Sequence, residues 1–280
     1  MSRIATTDLI TFKNEGTKFS MLTAYDFHTA KIAEEANIPV LLVGDSLGMV
    51  VLGYESTIQV TMDDMVHHTK PVTRATHSSL IVSDLPFMSY QINIEQALSN
   101  ATRLIQEGGA GAVKLEGGRE MGKTVSTLTN AGIPVMGHIG LTPQSVHALG
   151  GYKLQGNTLE QAKNIMKDAK ELEQNGAFAI VLELVPVELA AIITKNLTIP
   201  TIGIGAGPEC DGQVQVTHDI LGLNSEFLPR HAKRYLELSK SMKSVFETYN
   251  QDVTTGIFPE ATQSRPMKPN LLEQLYGLNW

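Results

Sequence analysis

The chain contains 280 residues, enough for a sizeable hydrophobic core and close to the upper limit for one domain. Its formal net charge of −7, with no basic block, argues against a general affinity for nucleic acid or for an anionic membrane. The single cysteine, Cys210, excludes an internal disulfide and indicates a reducing compartment. The N-terminus lacks an apolar signal core, and no stretch reaches the about 20 apolar residues of a membrane span. We therefore expect a cytoplasmic protein.

Short apolar runs alternate along the chain with segments of helical periodicity. Pro39, Pro134 and Pro200 each follow a helical segment and lead into an apolar run. Because proline ends a helix and is tolerated where a strand begins, these junctions predict strand–helix units and a parallel sheet. The runs predicted as strands are 20–24, 40–44, 80–83, 112–115, 134–137, 178–182, 201–204 and, more weakly, 213–217. The segments predicted as helices are 27–36, 63–76, 94–107, 119–130, 159–175, 187–196 and 230–249.

About eight strands with intervening helices predict a (β/α)8 TIM barrel, an α/β fold. An open doubly wound sheet is the alternative, although no G-x-G-x-x-G motif follows the first predicted strand. We expect residues 1–280 to form a single barrel domain with 252–280 as a C-terminal arm. Residues 252–270 are rich in Thr, Pro and Ser and predict an extended segment, whereas 271–276 predicts one or two amphipathic helical turns. The arm is expected on the surface, and docking on a neighbouring subunit is the alternative.

Polar side chains follow nearly every predicted strand, at the point where a barrel enzyme places its chemistry. A single strand-end aspartate such as Asp45 is explained equally well as the cap of the next helix. Many ionisable groups at strand ends instead favour a shared site, because those ends converge on one barrel mouth. The candidates in chain order are Tyr25, Asp26, Asp45, Ser46, Asp84, Lys114, Glu116, His138, Glu183, His218 and Asp219.

The chemistry of these side chains predicts a metal-assisted reaction on an anionic substrate. Asp45, Asp84 and Glu116 are hard oxygen donors, which favours Mg²⁺ or another hard divalent ion over zinc. Lys114 supplies a positive charge suited to a substrate carboxylate. Glu183 precedes Leu-Val-Pro, and apolar surroundings there would raise its pKa and make it a usable base.

Three further features carry less weight. The neighbours His67 and His68 point about 100° apart on a predicted helix, which makes them poor ligands for one metal. The glycine-rich segment 203–207 resembles a phosphate-binding loop, but close backbone packing explains the same glycines. Cys210 has no adjacent base, so a nucleophile role is not expected.

Six long motifs resemble those of the ketopantoate hydroxymethyltransferase family. The resemblance runs in order over roughly residues 3–260, with similar spacing throughout. The motifs are GDSLGMVVLGYESTIQVTMDDMVHHT (44–69), SDLPFMSY (83–90), VKLEGG (113–118), GHIGLTPQSVHALGGYKLQG (137–156), LELVPVELA (182–190) and GIGAGPECDGQ (203–213). The tail beyond about residue 259 matches nothing in the family pattern.

This resemblance implies a (β/α)8 barrel enzyme of pantothenate biosynthesis. The family transfers a hydroxymethyl group from 5,10-methylenetetrahydrofolate to 3-methyl-2-oxobutanoate, giving 2-dehydropantoate through an enolate stabilised by Mg²⁺. Its members form homo-oligomers, commonly decamers.

The resemblance also implies roles for individual residues. Asp45 and Asp84 match the metal-binding aspartates, which also face the substrate, and Glu116 matches the associated acidic residue. Ser46 and Lys114 match positions that hold the keto acid. Glu183 matches the proton acceptor, and His138 matches a substrate-binding histidine near the product hydroxyl.

Three alternatives remain at this stage. A lyase related to phosphoenolpyruvate mutase or isocitrate lyase would also gather acidic metal ligands at strand ends, but a cysteine in a catalytic loop motif of that type is absent. A Schiff-base aldolase would use Lys114 as its nucleophile. A catalytically silent ligand-binding barrel belongs to a different class, and the presence of metal ligands, lysine and base together argues against it.

Overall fold

The structure is a computed structural model that describes residues 3–224 and 228–278. Its eight strands pair in chain order, all parallel, and β1 pairs with β8 to close a barrel. The strands are β1 (Phe19–Thr23), β2 (Val40–Val43), β3 (Leu80–Asp84), β4 (Ala112–Glu116), β5 (Val135–Gly140), β6 (Ala179–Glu183), β7 (Thr201–Ile204) and β8 (Gly212–Gln215). The predicted (β/α)8 barrel is confirmed, and the open doubly wound sheet is wrong.

Helices connect most of the strands, and further helices precede β1 and follow β8. They are α1 (Thr6–Asn14), α2 (Phe27–Glu35), α3 (Leu47–Val50), α4 (Met62–Ala75), α5 (Ile94–Gln106), α6 (Gly122–Asn130), α7 (Val146–Leu149), α8 (Leu159–Gln174), α9 (Val187–Asn196), α10 (Thr217–Leu221), α11 (Leu238–Thr255) and α12 (Pro269–Tyr276). Side-chain caps fix several starts: Thr61 accepts from the Asp64 N–H before α4, and Asn93 accepts from the Gln96 N–H before α5.

Most predicted helices match within one residue at each end, and two need correction. The helix predicted over 119–130 begins with a 3₁₀ turn, Arg119–Met121, and becomes α-helical at Gly122. The helix predicted over 230–249 begins only at Leu238. The Tyr235 N–H donates to Ile220 O (2.8 Å), so a tertiary hydrogen bond replaces the one that a helix would need there.

The strands bury both of their faces, and alternate residues serve two different cores. Inside the barrel, Leu42, Val82, Met136 and Val181 belong to one cluster, which also contains Leu9 of α1. Neighbours of opposite parity pack outward against the helices, among them Leu41, Ile81, Val113, Leu115 and Ile180. Because side chains alternate with period two, residues two beyond the interior positions also point inward at the ends of the strands.

The C-terminal region departs from the expected arm at its start. Residues 252–255 are helical, because α11 continues to Thr255, so the extended segment predicted from Asp252 starts too early. The helical turns predicted over 271–276 are confirmed by α12. Neither α11 nor α12 contains a buried residue. The division into one barrel domain with an arm stays a prediction, and residues 1–2, 225–227 and 279–280 of it lie outside the described residues.

No helix within residues 3–224 and 228–278 is long and apolar enough to span a membrane.

Candidate active site

Because alternate residues of a strand point to the same side, five of the predicted site residues lie on the inside of the barrel mouth. Asp84, Lys114, Glu116, His138 and Glu183 occupy or follow the last inward positions of β3, β4, β5 and β6. The register places Asp84 beside Lys114, and Glu116 beside His138. Four of the five are buried, with His138 3% exposed, and the Glu183 side chain is 13% exposed. These five strand-end side chains therefore form one cluster.

Asp45 joins this cluster and does not cap the next helix with its side chain. Helix α3 after β2 has Ser46 as its N-cap and no side-chain cap bond. The Asp45 carboxylate instead accepts a hydrogen bond from Gln144 Nε2 (2.8 Å), and the Asp45 N–H donates to Asp84 Oδ2 (3.0 Å). The sequence left open whether Asp45 caps the next helix or joins a shared site. Its side chain does not cap the helix and instead makes contacts across the barrel mouth.

Lys114 lies among the carboxylates as their buried counter-charge. Its Nζ lies 3.1 Å from Asp84 Oδ1 and 3.3 Å from His138 Nδ1. Burial acts to lower the pKa of Lys114, but the charges of Asp84, Glu116 and Asp45 outweigh it and raise that pKa. Lys114 is therefore held as an ammonium ion, which argues against the Schiff-base alternative because that chemistry requires a neutral amine.

The carboxylates outnumber the lysine, and their pKa values reflect this. Burial, followed by the charges of Asp84 and Glu116, raises the pKa of Asp45 well above its ordinary value, although Lys114 and Gln144 oppose the shift. Burial likewise raises the pKa of Asp84. Asp84 Oδ1 is buried and faces the Lys114 ammonium at 3.1 Å. Hard oxygen donors with an excess of negative charge fit a divalent cation such as Mg²⁺.

These donors do not form a complete metal shell by themselves. Within residues 3–224 and 228–278, no group of three His, Cys, Asp or Glu side chains is arranged to hold a metal ion. Hydrogen bonds from Gln144 occupy one oxygen of Asp45 and one of Glu116. A cation at this site would therefore use part of the carboxylate set and complete its coordination with other oxygen ligands.

His138 lies between two carboxylates. Its Nε2 lies 3.2 Å from Glu183 Oε2, and its Nδ1 lies 3.4 Å from Glu116 Oε1. Glycine at 140 permits this approach, because its φ is +92° and a Cβ there would collide with Glu183 O and lie 2.7 Å from Val185 Cγ1. The Glu183 side chain thus faces a histidine.

A second polar contact reaches the mouth beside Asp45. The Tyr25 hydroxyl and Ser46 Oγ are hydrogen-bonded at 2.8 Å, and Tyr25 is 2% exposed. His68 Nδ1 lies 2.7 Å from Tyr25 O, so His68 contacts the backbone that carries this tyrosine. The His218 ring packs 5.5 Å from the Tyr25 ring. The buried Tyr25 hydroxyl therefore positions Ser46. The sequence placed Tyr25 at a strand end but predicted no contact for it.

The remaining candidates have structural explanations. Asp26 accepts from the Thr29 N–H (2.9 Å) and caps α2. Asp219 lies in the short helix α10, and burial raises its pKa. In the glycine-rich loop, a Cβ at Gly207 would lie 2.6 Å from Val187 Cγ1, so close packing accounts for that glycine. Burial raises the pKa of the Cys210 thiol, which disfavours a nucleophilic thiolate.

Sequence reasoning missed two buried residues of the site, Gln144 and Tyr90. Gln144 follows β5 in a 3₁₀ turn and is 3% exposed, and Tyr90 is 2% exposed. Both lie inside the motifs that carry the family resemblance, GHIGLTPQSV and SDLPFMSY. Their position within those motifs was the available signal, but neither residue is an ionisable strand-end group.

Comparison with solved structures supports the fold. A phosphonopyruvate hydrolase in complex with oxalate and Mg²⁺ superposes with a TM-score of 0.62 at 13% identity, covering 99% of this chain and 95% of that one. A 2,3-dimethylmalate lyase of the PEP mutase/isocitrate lyase superfamily gives a TM-score of 0.56 at 17% identity, covering 97% and 94%. At these identities the likeness concerns the barrel alone.

Comparison of sequences decides the family. The sequence profile of ketopantoate hydroxymethyltransferase matches residues 3–261. The chain belongs to the ketopantoate hydroxymethyltransferase family. The 3-methyl-2-oxobutanoate hydroxymethyltransferase of Thermoanaerobacter sp. (strain X514) is 58% identical over 262 residues, 94% of this chain and 96% of that protein. The enzyme of the same name from Carboxydothermus hydrogenoformans is 55% identical over 276 residues, 99% and 100% of the two chains.

Membership of the ketopantoate hydroxymethyltransferase family makes this chain a transferase enzyme, so the catalytically silent barrel is wrong. The lyase alternative has only the shared barrel in its favour, at 13–17% identity. The family profile spans all eight strands of the barrel and every residue of the cluster at the mouth.

Proposed function

We propose that this ketopantoate hydroxymethyltransferase transfers a hydroxymethyl group from 5,10-methylenetetrahydrofolate to 3-methyl-2-oxobutanoate, giving 2-dehydropantoate for pantothenate biosynthesis. The observation that carries the proposal is the buried cluster of three carboxylates and one lysine beside the His138–Glu183 pair. This cluster supplies an anion site, a cation site and a base within one barrel mouth.

Asp45 and Asp84, with Glu116 beside them, are proposed to hold Mg²⁺. The excess of buried carboxylates over the single Lys114 ammonium supports this assignment. When bound, Mg²⁺ supplies Lewis acidity that stabilises negative charge on the keto oxygen of the substrate. Mg²⁺ in proteins commonly uses one or two carboxylates and takes its other ligands from substrate and water, which suits a site with an incomplete protein shell.

Ser46 and Lys114 are proposed to bind the carboxylate end of the keto acid. The Lys114 ammonium neutralises charge there, and the hydrogen bond between Tyr25 and Ser46 fixes the Ser46 hydroxyl. Burial of Lys114, 4% exposed, strengthens its attraction for the anionic substrate because little water screens it. Together with Asp45 and Asp84, these groups orient the substrate within the mouth.

Glu183 is proposed to remove the proton from C3 of the keto acid, with His138 beside it. Water adds to the methylene carbon of the folate, its two C–N bonds break, and tetrahydrofolate leaves with both nitrogens protonated. The C3 carbanion then attacks the formaldehyde that remains, and the formaldehyde oxygen takes a proton and becomes the new hydroxyl group. His138 Nε2 lies close enough to Glu183 to stabilise its carboxylate before the transfer. His138 is also proposed to contact the product hydroxyl.

A homo-oligomer and a cytoplasmic location stay predictions of the family resemblance and of the sequence. They do not enter the chemistry proposed for the cluster.

Exchange of the C3 hydrogen tests the proposal directly. In D₂O with Mg²⁺, NMR should show the enzyme exchanging C3–H of 3-methyl-2-oxobutanoate for deuterium, and adding 5,10-methylenetetrahydrofolate should give 2-dehydropantoate. EDTA should abolish both reactions. The variant Asp45→Ala should lose exchange, whereas Asp64→Asn, at a helix cap outside the mouth, should keep it. If the wild-type enzyme gave no exchange and no product, the proposal would be overturned.

A further inference from the structure

Gln144 contacts two of the three carboxylates at the barrel mouth. Its side-chain Nε2 donates to Asp45 Oδ2 (2.8 Å), and its backbone N–H donates to Glu116 Oε2 (3.0 Å). These carboxylates come from the ends of β2 and β4, which are not neighbours in the barrel. A single residue of the loop after β5 therefore ties together two strand ends that have no ladder hydrogen bonds between them.

The partners of Gln144 determine which way its amide faces. Nε2 also donates to Leu85 O (2.9 Å), and a backbone carbonyl can only accept a hydrogen bond. On the other side, Oε1 accepts from the Tyr90 hydroxyl (2.8 Å) and from Gln91 Nε2 (3.4 Å). A flipped amide would place its oxygen against Leu85 O and the Asp45 carboxylate, so Asp45 always meets an N–H donor.

Tyr90 holds this arrangement from behind. The Glu116 N–H donates to the Tyr90 hydroxyl oxygen (3.0 Å), and the hydroxyl lies within donating distance of Gln144 Oε1 (2.8 Å) and of Glu116 O (3.0 Å). Tyr90 is 2% exposed and Gln144 is 3% exposed, so water does not compete for these groups. The phenol thus couples the backbone of Glu116 to the amide that holds Asp45.

We propose that Gln144 is a positioning residue that holds one oxygen of Asp45 and one of Glu116 and directs these carboxylates toward the divalent cation. This inference rests on the proposed function, which assigns the cation to this cluster. Partners of metal-binding carboxylates commonly change metal affinity about 10- to 100-fold when they are removed. Gln144 also reduces the mutual repulsion of the buried carboxylates by placing N–H dipoles between them.

The substitution Gln144→Met separates this role from packing. Methionine keeps the length of the side chain and the backbone N–H to Glu116, and it removes the amide that holds Asp45. We expect the dissociation constant for Mn²⁺, measured by electron paramagnetic resonance without substrate, to rise about 10- to 100-fold. Tyr90→Phe removes only the hydroxyl group. It should raise the dissociation constant for Mn²⁺ about 3- to 10-fold, because the Gln144 amide keeps its other partners.

A matched control comes from the neighbouring amide. The described contacts of the Gln91 side chain are with Gln144 Oε1 and the Tyr90 N–H. Gln91→Met makes the same chemical change without removing a donor to either carboxylate, and we expect Mn²⁺ affinity within about twofold of the wild type. Thermal melting of each variant reports whether it folds.

Dependence of activity on Mg²⁺ concentration distinguishes positioning from general damage. If Gln144 positions the metal carboxylates, high Mg²⁺ should restore the turnover of Gln144→Met to within about threefold of the wild type. A loss of turnover that is equal at all Mg²⁺ concentrations, with unchanged Mn²⁺ affinity, would overturn the inference. Should Gln144→Met fail to fold, Tyr90→Phe decides, and wild-type Mn²⁺ affinity in that variant would overturn the inference.

Failure of the proposed function has a different signature. Wild-type enzyme that binds no Mn²⁺, or Asp84→Asn with undiminished affinity, would remove the cation site itself, whatever the Gln144 variant does. Wild-type binding that is lost in Asp84→Asn but unchanged in both Gln144→Met and Tyr90→Phe would refute only the positioning role.

Discussion

His138 Nε2 lies 3.2 Å from Glu183 Oε2, and Nδ1 of the same ring lies 3.4 Å from Glu116 Oε1. Burial and the charge of Lys114 act to lower the pKa of His138, but the two carboxylates outweigh them and raise that pKa to about 9. The register of β5 explains the geometry, because His138 pairs with Glu116 on one side and Gly140 pairs with Glu183 on the other. One histidine therefore links the proposed base to a carboxylate of the proposed metal site.

Removing the proposed base should separate proton abstraction from metal binding. Glu183→Gln should slow C3–H exchange of the keto acid by about 10²- to 10⁴-fold, because the amide cannot accept the proton. Mn²⁺ affinity should change little, since Glu183 is not among the proposed metal carboxylates. His138→Gln should slow exchange by about tenfold, because the base loses the imidazole that orients its carboxylate. The exposed residue Glu188 offers the matched control Glu188→Gln, and wild-type exchange in Glu183→Gln would contradict the assignment.

The hydroxyl of Tyr25 should contribute to binding of the keto acid through Ser46. Tyr25→Phe removes the 2.8 Å hydrogen bond to Ser46 Oγ and keeps the buried ring. A net loss of about 1 kcal/mol corresponds to about a fivefold rise in KM for 3-methyl-2-oxobutanoate, with little change in Mn²⁺ affinity. Steady-state kinetics at saturating Mg²⁺ measure the KM for 3-methyl-2-oxobutanoate. An unchanged KM in a folded variant would show that Tyr25 does not act on the substrate through Ser46.

Alanine substitutions at two glycines with similar backbone angles should distinguish the cost of backbone strain from the cost of a steric collision. Gly140 has φ +92° and a Cβ there would meet Glu183 O, whereas Gly132 has φ +86° and nothing within 4 Å of a Cβ. Gly132→Ala should lower the free energy of unfolding by about 1–2 kcal/mol through strain alone. Gly140→Ala should cost about 2–5 kcal/mol, because the collision adds to the strain. Chemical denaturation measures both, and equal losses would contradict the collision argument.

Stability at acid pH should depend on Glu34, a partly exposed residue of α2. Its carboxylate accepts hydrogen bonds from the backbone N–H groups of His77, Ser78 and Ser79 at 2.7–3.0 Å. Burial raises its pKa, but these bonds outweigh burial and lower the pKa from 4.5 to about 2. Because the folded pKa is depressed, the contribution to stability is complete above about pH 4.5 and is lost as the pH falls through about 2.

Substitution at Glu34 checks this dependence. Glu34→Gln should lower the free energy of unfolding by about 1–2 kcal/mol at pH 7, after allowance for solvent screening, and by less at pH 3. The neighbouring Glu35, whose side chain is 65% exposed, pairs only loosely with Lys31 at 3.9 Å. Glu35→Gln is therefore a matched control and should change stability by less than about 0.5 kcal/mol. Equal effects of the two substitutions at pH 7 would contradict the role of the backbone hydrogen bonds.

Several elements could be predicted from the chain alone because local rules dictate them. Proline before a strand and apolar runs of four or five residues identified the strands, and Val187–Asn196 matched its prediction at both ends. The start of α11 could not be predicted, since the Tyr235 N–H bonds to Ile220 O, a partner distant in sequence. The short helices α3, α7 and α10 were also missed, because four or five residues carry too little periodicity to be recognised.

The sequence by itself determined the repeating strand–helix order and the position of acidic residues at the strand ends, because local composition and periodicity are enough to predict both. It could not determine which face of each strand points into the barrel, since these strands are apolar on both faces and parity has no local signature. Closure of the barrel decided that Asp84, Lys114 and His138 all point inward. Only the tertiary structure placed Gln144 against Asp45, because the residues are far apart in sequence and their contact depends on two loops meeting above one barrel.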